Sequence, residues 1–122
     1  MEEIKQNFQT SLDFNSDILK PENENDLQQI IKYCYKKGLP IEIVGTGTKN
    51  KIGKKLQCAK ILDMSNISGI IEYKPEELYI TVKAGTPIKT VQDELKKNNQ
   101  HIAFEPINFS EIFKKDLNEG TV

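Results

Sequence analysis

Apolar and polar positions along this chain follow two periods, and the switches between them mark its elements. In residues 25–37, Leu27, Ile30, Ile31 and Cys34 recur at i, i+3, i+4 and i+7, which predicts an amphipathic helix. Glu24 and Asp26 at its start and Lys36 and Lys37 at its end complement the helix dipole. Asn23 or Asn25 supplies the N-cap, and Gly38 takes the left-handed position after the last turn. A face of this kind makes Cys34 a core residue. Residues 40–44 and 59–63 read as short strands, and residues 70–73 as another. Leu78, Ile80 and Val82 then alternate with Tyr79, Thr81 and Lys83, the period of a strand with one buried face. The Lys74-Pro75-Glu76-Glu77 turn between the last two makes them an antiparallel hairpin. Ile88, Val91 and Leu95 predict a second helix, with Thr86 as N-cap and Pro87 at its first position.

The two ends of the chain are less regular. Residues 1–20 form a lead-in with scattered apolar positions, irregular or partly helical, with a strand near Asp17-Ile18-Leu19 and a break at Lys20-Pro21. Residues 100–106 read as a short strand or an extended run. Beyond them, Phe109, Ile112, Phe113 and Leu117 have helical spacing in a tail of residues 107–122. The sum is one small α+β domain with a mixed sheet and flanking helices.

Composition removes several function classes. Seventeen Lys and Arg are interleaved with eighteen Asp and Glu, for a net charge of -1, so no basic nucleic-acid footprint exists. Cys34 and Cys58 lack CxxC spacing and read as reduced thiols of a cytoplasmic-type protein. The polar N-terminus is not a signal peptide, and no apolar run approaches the ~20 residues of a membrane helix. The single His101 has no partners at a metal-ligand spacing, and neither a Ser/His/Asp set nor an acid pair is visible. The expectation is therefore no metal and no catalytic residue within this chain.

What chemistry there is centres on Val44-Gly45-Thr46-Gly47-Thr48-Lys49, directly after a strand. Two glycines around a threonine permit a tight turn or close approach of a ligand to main chain. Successive N–H groups there, with two hydroxyls and Lys49, have the makings of an anion-binding nest; a plain turn has the same composition. Lys51, Lys54 and Lys55 downstream are either a solvated face or a positive rim. Gly85, in Ala84-Gly85-Thr86, is a second glycine at a strand-to-helix junction, where backbone donors can meet an anion.

In order and spacing, these stretches resemble the first half of the FAD-binding domain shared by vanillyl-alcohol-oxidase-type (PCMH-type) flavoproteins. The likeness runs from Pro21 to Pro106 and is strongest toward the FAD-binding subunits of glycolate oxidases, then the D-lactate dehydrogenases. It is carried by Val44-Gly45-Thr46-Gly47-Thr48-Lys49, Leu62-Asp63-Met64-Ser65 with Gly69-Ile70, and Glu72-Tyr73-Lys74-Pro75-Glu76-Glu77-Leu78. Val82-Lys83-Ala84-Gly85-Thr86-Pro87 and Phe104-Glu105-Pro106 complete it.

The resemblance implies FAD as cofactor, with its pyrophosphate on Gly45, Thr46, Gly47, Thr48 and Lys49. It places Asp63, Ala84, Gly85 and Thr86 in the same cleft. It implies noncovalent attachment, since the first loop has no histidine. It divides the chain into a lead-in (1–20), a truncated FAD-binding subdomain (21–106) and a divergent tail (107–122). Relatives continue into a second subdomain and a substrate cap where this chain runs into Asn108-Phe109-Ser110-Glu111. The expectation is a fragment of a flavoprotein that oxidises a 2-hydroxy acid, inactive alone, either a gene remnant or a split-gene piece. It would be completed by a second chain or self-associate through exposed apolar surface, in the cytoplasm or peripheral to the inner face of a membrane through partners. A noncatalytic interaction module and a phosphate or nucleotide binder are the competing expectations.

Overall fold

The computed structural model describes residues 12–46 and 57–104. Its elements are β1 (Ile18–Leu19), α1 (Glu24–Lys37), β2 (Ile41–Val44), β3 (Lys60–Asp63), β4 (Ile70–Lys74), a single 3-10 turn (Pro75–Glu77), β5 (Tyr79–Val82) and α2 (Ile88–Lys96). The α+β class holds, with parallel and antiparallel pairing partitioned between two small sheets. The first is parallel in the order β1-β3-β2, and the second is the antiparallel β4–β5 hairpin.

Helix α1 starts and stops where its sequence dictates. The Asn23 side chain accepts the Asp26 N–H at 2.9 Å, satisfying one open donor of the first turn, and the Asp26 carboxylate in turn accepts the N–H of Glu22, the residue before the cap, at 3.2 Å. Gly38 ends the helix at φ 64°, with its N–H turned back to the last carbonyls, a conformation that costs a side chain about 1 kcal/mol or more. The helix buries Ile30 and Cys34 against Leu19 and Leu62 of the parallel sheet, with Phe14, Leu27, Tyr33, Leu39 and Ile41 packed around them. Each such aliphatic side chain contributes about 1.5–3 kcal/mol on burial. Ile31, which the period also assigns to the inner face, is 43% exposed; on the other flank of that face Tyr33 packs its ring against Phe14, centroids 4.8 Å apart and planes tilted by 43°.

The segment before α1 belongs to the sheet. Ile18 and Leu19 pair with Ile61 and Leu62, and the buried Lys60 ammonium donates to the Ser16 carbonyl at 2.7 Å, clamping the preceding turn. Helix α2 buries Val91 and Leu95 on the face it turns toward the second sheet, with a groove between them. Thr86 is not the N-cap of α2. Pro87 holds that position, and the Thr86 hydroxyl is consumed by the Gly69 N–H and the Lys83 carbonyl, at 3.0 and 2.6 Å. A hydroxyl with buried backbone partners on both sides gains more from them than from one helix donor at the surface. Residues 97–104 contain no strand, and the Gln100 side chain ties this run to the Tyr73 hydroxyl and to the Pro75 carbonyl.

Candidate functional site

Parallel pairing brings three strand ends to one edge. The register sets Val44 opposite Asp63 and Leu19 opposite Leu62, so that Lys20, Asp63 and the Gly45-Thr46 start of the glycine loop lie side by side. In open parallel sheets this carboxyl-end edge is where ligands bind, because the connections leave a crevice there. The edge is held by short hydrogen bonds. Met64 N–H donates to the Val44 carbonyl at 2.8 Å, and Ile67 N–H to the Met64 carbonyl at 2.9 Å. Gly85 N–H then donates to the Ile67 carbonyl at 2.8 Å. This relay joins the end of β2 to the junction before α2.

Within that edge, Asp63 is fixed by two contacts. One carboxylate oxygen accepts the Ser65 N–H at 2.9 Å, and the other faces the Lys20 ammonium at 3.9 Å. An ionised carboxylate accepts only, so Asp63 suits a hydroxyl donor on a ligand rather than a phosphate. Thr46 presents the opposite case. Its hydroxyl is buried, and it has no hydrogen-bond partner among the described residues. Leaving a hydroxyl in that state costs about 1–3 kcal/mol, which a ligand oxygen returns on binding. That orphaned hydroxyl, next to a glycine at a sheet's carboxyl edge, fits the phosphate of a dinucleotide. Gly47, Thr48 and Lys49 lie outside the described residues, as do Lys51, Lys54 and Lys55.

The Ala84-Gly85-Thr86 junction has a different character. Ala84 is exposed, but Gly85 and Thr86 are buried and their N–H groups are committed to Ile67 and Lys83. A Cβ on Gly85 would stand 2.0 Å from the Met64 carbonyl oxygen and 2.7 Å from that of Ile67. The glycine is there so that two main-chain segments can touch. The structure thus brings Gly45, Thr46 and Asp63 to one edge and puts Gly85 and Thr86 behind it as a support.

A groove of about 610 Å³ lies elsewhere, between the β4–β5 hairpin, α2 and residues 99–104. Tyr73, Ile80, Val82, Ile88, Val91 and Phe104 line it, and it contains none of the expected site residues. Its sequence signal was the alternation of Ile80 and Val82 facing the Ile88/Val91/Leu95 stripe. At its rim Leu78 is 80% exposed and adopts φ 59°, a left-handed conformation rare for leucine. His101 also lines the groove; among the described residues no group of three acidic, His or Cys side chains is placed to hold a metal. Both cysteines are free thiols, with Cys34 in the core and Cys58 Sγ 3.8 Å from the Glu42 carboxylate. No helix among the described residues is long and apolar enough to cross a membrane.

Comparison with known proteins bears on the family and the fold. A family model described as FAD binding domain matches residues 16–112. The chain is 33% identical over 72 residues to the glycolate oxidase subunit GlcE of Escherichia coli (strain K12), covering 59% of this chain and 20% of that protein. Its fold matches the crystal structure of p-cresol methylhydroxylase with substrate bound, with a TM-score of 0.62 at 22% identity, over 78% of this chain and 19% of that one. The chain spans about a fifth of the length of these relatives.

Proposed function

Since the chain belongs to the FAD binding domain family, we propose that it forms the phosphate-binding part of an FAD cleft in a flavoprotein of glycolate-oxidase type. The buried, partnerless Thr46 hydroxyl at the carboxyl edge of the parallel sheet carries this reading. Thr46 donates to a phosphate oxygen, and Gly45 allows the main chain to come close to it. Gly47, Thr48 and Lys49, next in sequence, are assigned by this reading as further donors and a positive charge for the phosphates. Asp63 accepts a hydroxyl of the ligand from the side opposite Lys20. Gly85 and Thr86 hold the Met64–Ile67 turn that backs the site, and exposed Ala84 lies at its margin. Attachment is noncovalent.

FAD, when bound, takes the hydride of a 2-hydroxy acid, the substrate class suggested by the likeness to the glycolate oxidase subunit. This chain's own residues bind and orient the cofactor's phosphates. Among the described residues no group is placed to take a substrate proton, so in this reading oxidation takes place together with further parts of such an enzyme, a second chain among the candidates. The groove beside α2, with exposed Leu78 and Phe104 at its rim, is the apolar surface such a chain would cover. Self-association through the same surface and a purely noncatalytic interaction role are the competing readings. The assembly works in the cytoplasm, free or at the inner face of a membrane through its partners.

Dialysis of the purified chain against FAD, read by the flavin absorbance retained, tests the proposal. Retained flavin that is released by denaturation supports noncovalent binding. No retention at millimolar FAD contradicts it.

A further inference from the structure

We propose that Lys20 is a ligand-contacting residue of this edge, its ammonium bridging Asp63 and a phosphate oxygen of the bound dinucleotide. The inference rests on the FAD reading above and adds to it a cation from the end of β1, on the far side of Asp63 from the glycine loop. Lys20 follows the last residue of β1 and precedes Pro21, which is fully buried. A residue before proline is held extended, so Lys20 is fixed at the edge, where its side chain is about half exposed. It flanks Asp63 on one side while Val44 and Gly45 flank it on the other, roughly 10 Å apart across two strand spacings.

The geometry of the pair is that of a cation with capacity to spare. The Lys20 ammonium lies 3.9 Å from Asp63, too far for a good hydrogen bond, with side chains 46% and 24% exposed. An ammonium has three donors, and one long contact leaves room for a phosphate oxygen. Asp63 does not depend on Lys20 for its position, because Ser65 N–H holds its other oxygen at 2.9 Å. Charge demands the bridge as well. A diphosphate brought to this edge would face the Asp63 carboxylate, and Lys20 is the cation already paired with that carboxylate.

The test compares the whole 122-residue chain with its K20Q and K20R variants, measuring affinity for FAD and for riboflavin, which has no phosphate. The expected result is a loss of FAD affinity of about tenfold in K20Q, with a shallower salt dependence. Riboflavin binding would be unchanged, and K20R would restore most of the FAD affinity. The thermal midpoint of K20Q would match the wild type, since a half-exposed pair contributes little to stability. FAD binding by K20Q equal to that of a wild type that does bind overturns this inference alone. An equal loss of FAD and riboflavin also overturns it. A wild-type chain without FAD affinity overturns it together with the reading it rests on.

Discussion

Gly85 stands so close to Met64 that no other residue fits. The first side-chain carbon would lie 2.0 Å from the Met64 carbonyl oxygen, while the Gly85 N–H bonds the Ile67 carbonyl at 2.8 Å. Because the obstruction is main chain, no rotamer change relieves it. Gly85→Ala is expected to destabilise the fold by about 3 kcal/mol through overpacking. In a thermal melt this corresponds to a midpoint lower by roughly 10 °C. A midpoint within a degree or two of wild type would remove the supporting role given to this glycine.

Thr46 separates binding from stability. Replacing its orphaned hydroxyl with the methyl of Thr46→Val removes an unpaired polar group without changing shape. The free protein should become as stable as wild type or more so, by up to about 1 kcal/mol in urea unfolding. FAD affinity should fall roughly fivefold, the loss of one hydrogen bond. Destabilisation of the free chain would mean that the hydroxyl already has a partner.

The elements that sequence made legible are those in which period and boundary signals agree. In α1, the Ile30/Cys34 face, the Asn23 cap and Gly38 all point to one helix, and all are found. The hairpin was likewise readable from the alternation of Ile80 and Val82 behind the Pro75 turn. What local pattern did not contain was anything decided by long-range contact. Thr86 has the composition of a cap but is drawn to Gly69 and Lys83, and Gly85 has the composition of an anion turn but meets Met64. Lys20 gave no signal beyond a break before proline, because only the register of β1 on β3 sets it beside Asp63. Thr46 and Asp63, by contrast, stand at strand ends that the period marks, and a cofactor role for Asp63 was implied only by the family resemblance.

Leu78 is strained and exposed together, with φ 59° and 80% of its surface in solvent. Asparagine tolerates the left-handed region better than leucine, so Leu78→Asn is expected to stabilise the free chain by about 0.5–1 kcal/mol. If the groove is covered by a partner chain, the same change should weaken that association. Analytical ultracentrifugation of the chain with a candidate partner subunit reads the second effect, and a melt reads the first.

Tyr79 holds its proton above the ordinary tyrosine range. Desolvation, followed by its contact with the Glu72 carboxylate and the charge of Glu76, raises its pKa above the ordinary 10.0. A raised value means that the folded state prefers the protonated phenol. Its contribution to stability is therefore whole below pH 10 and is lost as pH climbs through the raised value. Ultraviolet titration should show one tyrosine ionising late, and Glu72→Gln should bring it back toward 10. An unchanged titration in that variant would remove the carboxylate as a cause.

The central claim is that the carboxyl edge of the parallel sheet, rather than the apolar groove beside α2, receives FAD. Amide chemical-shift mapping of the labelled chain during FAD titration tests it most directly. The account predicts saturable shifts at Lys20, Gly45, Thr46, Asp63 and Ser65, with Tyr73, Ile80 and Val91 little affected. Shifts centred on Tyr73, Ile80, Val91 and Phe104, or none at saturating FAD, would contradict it.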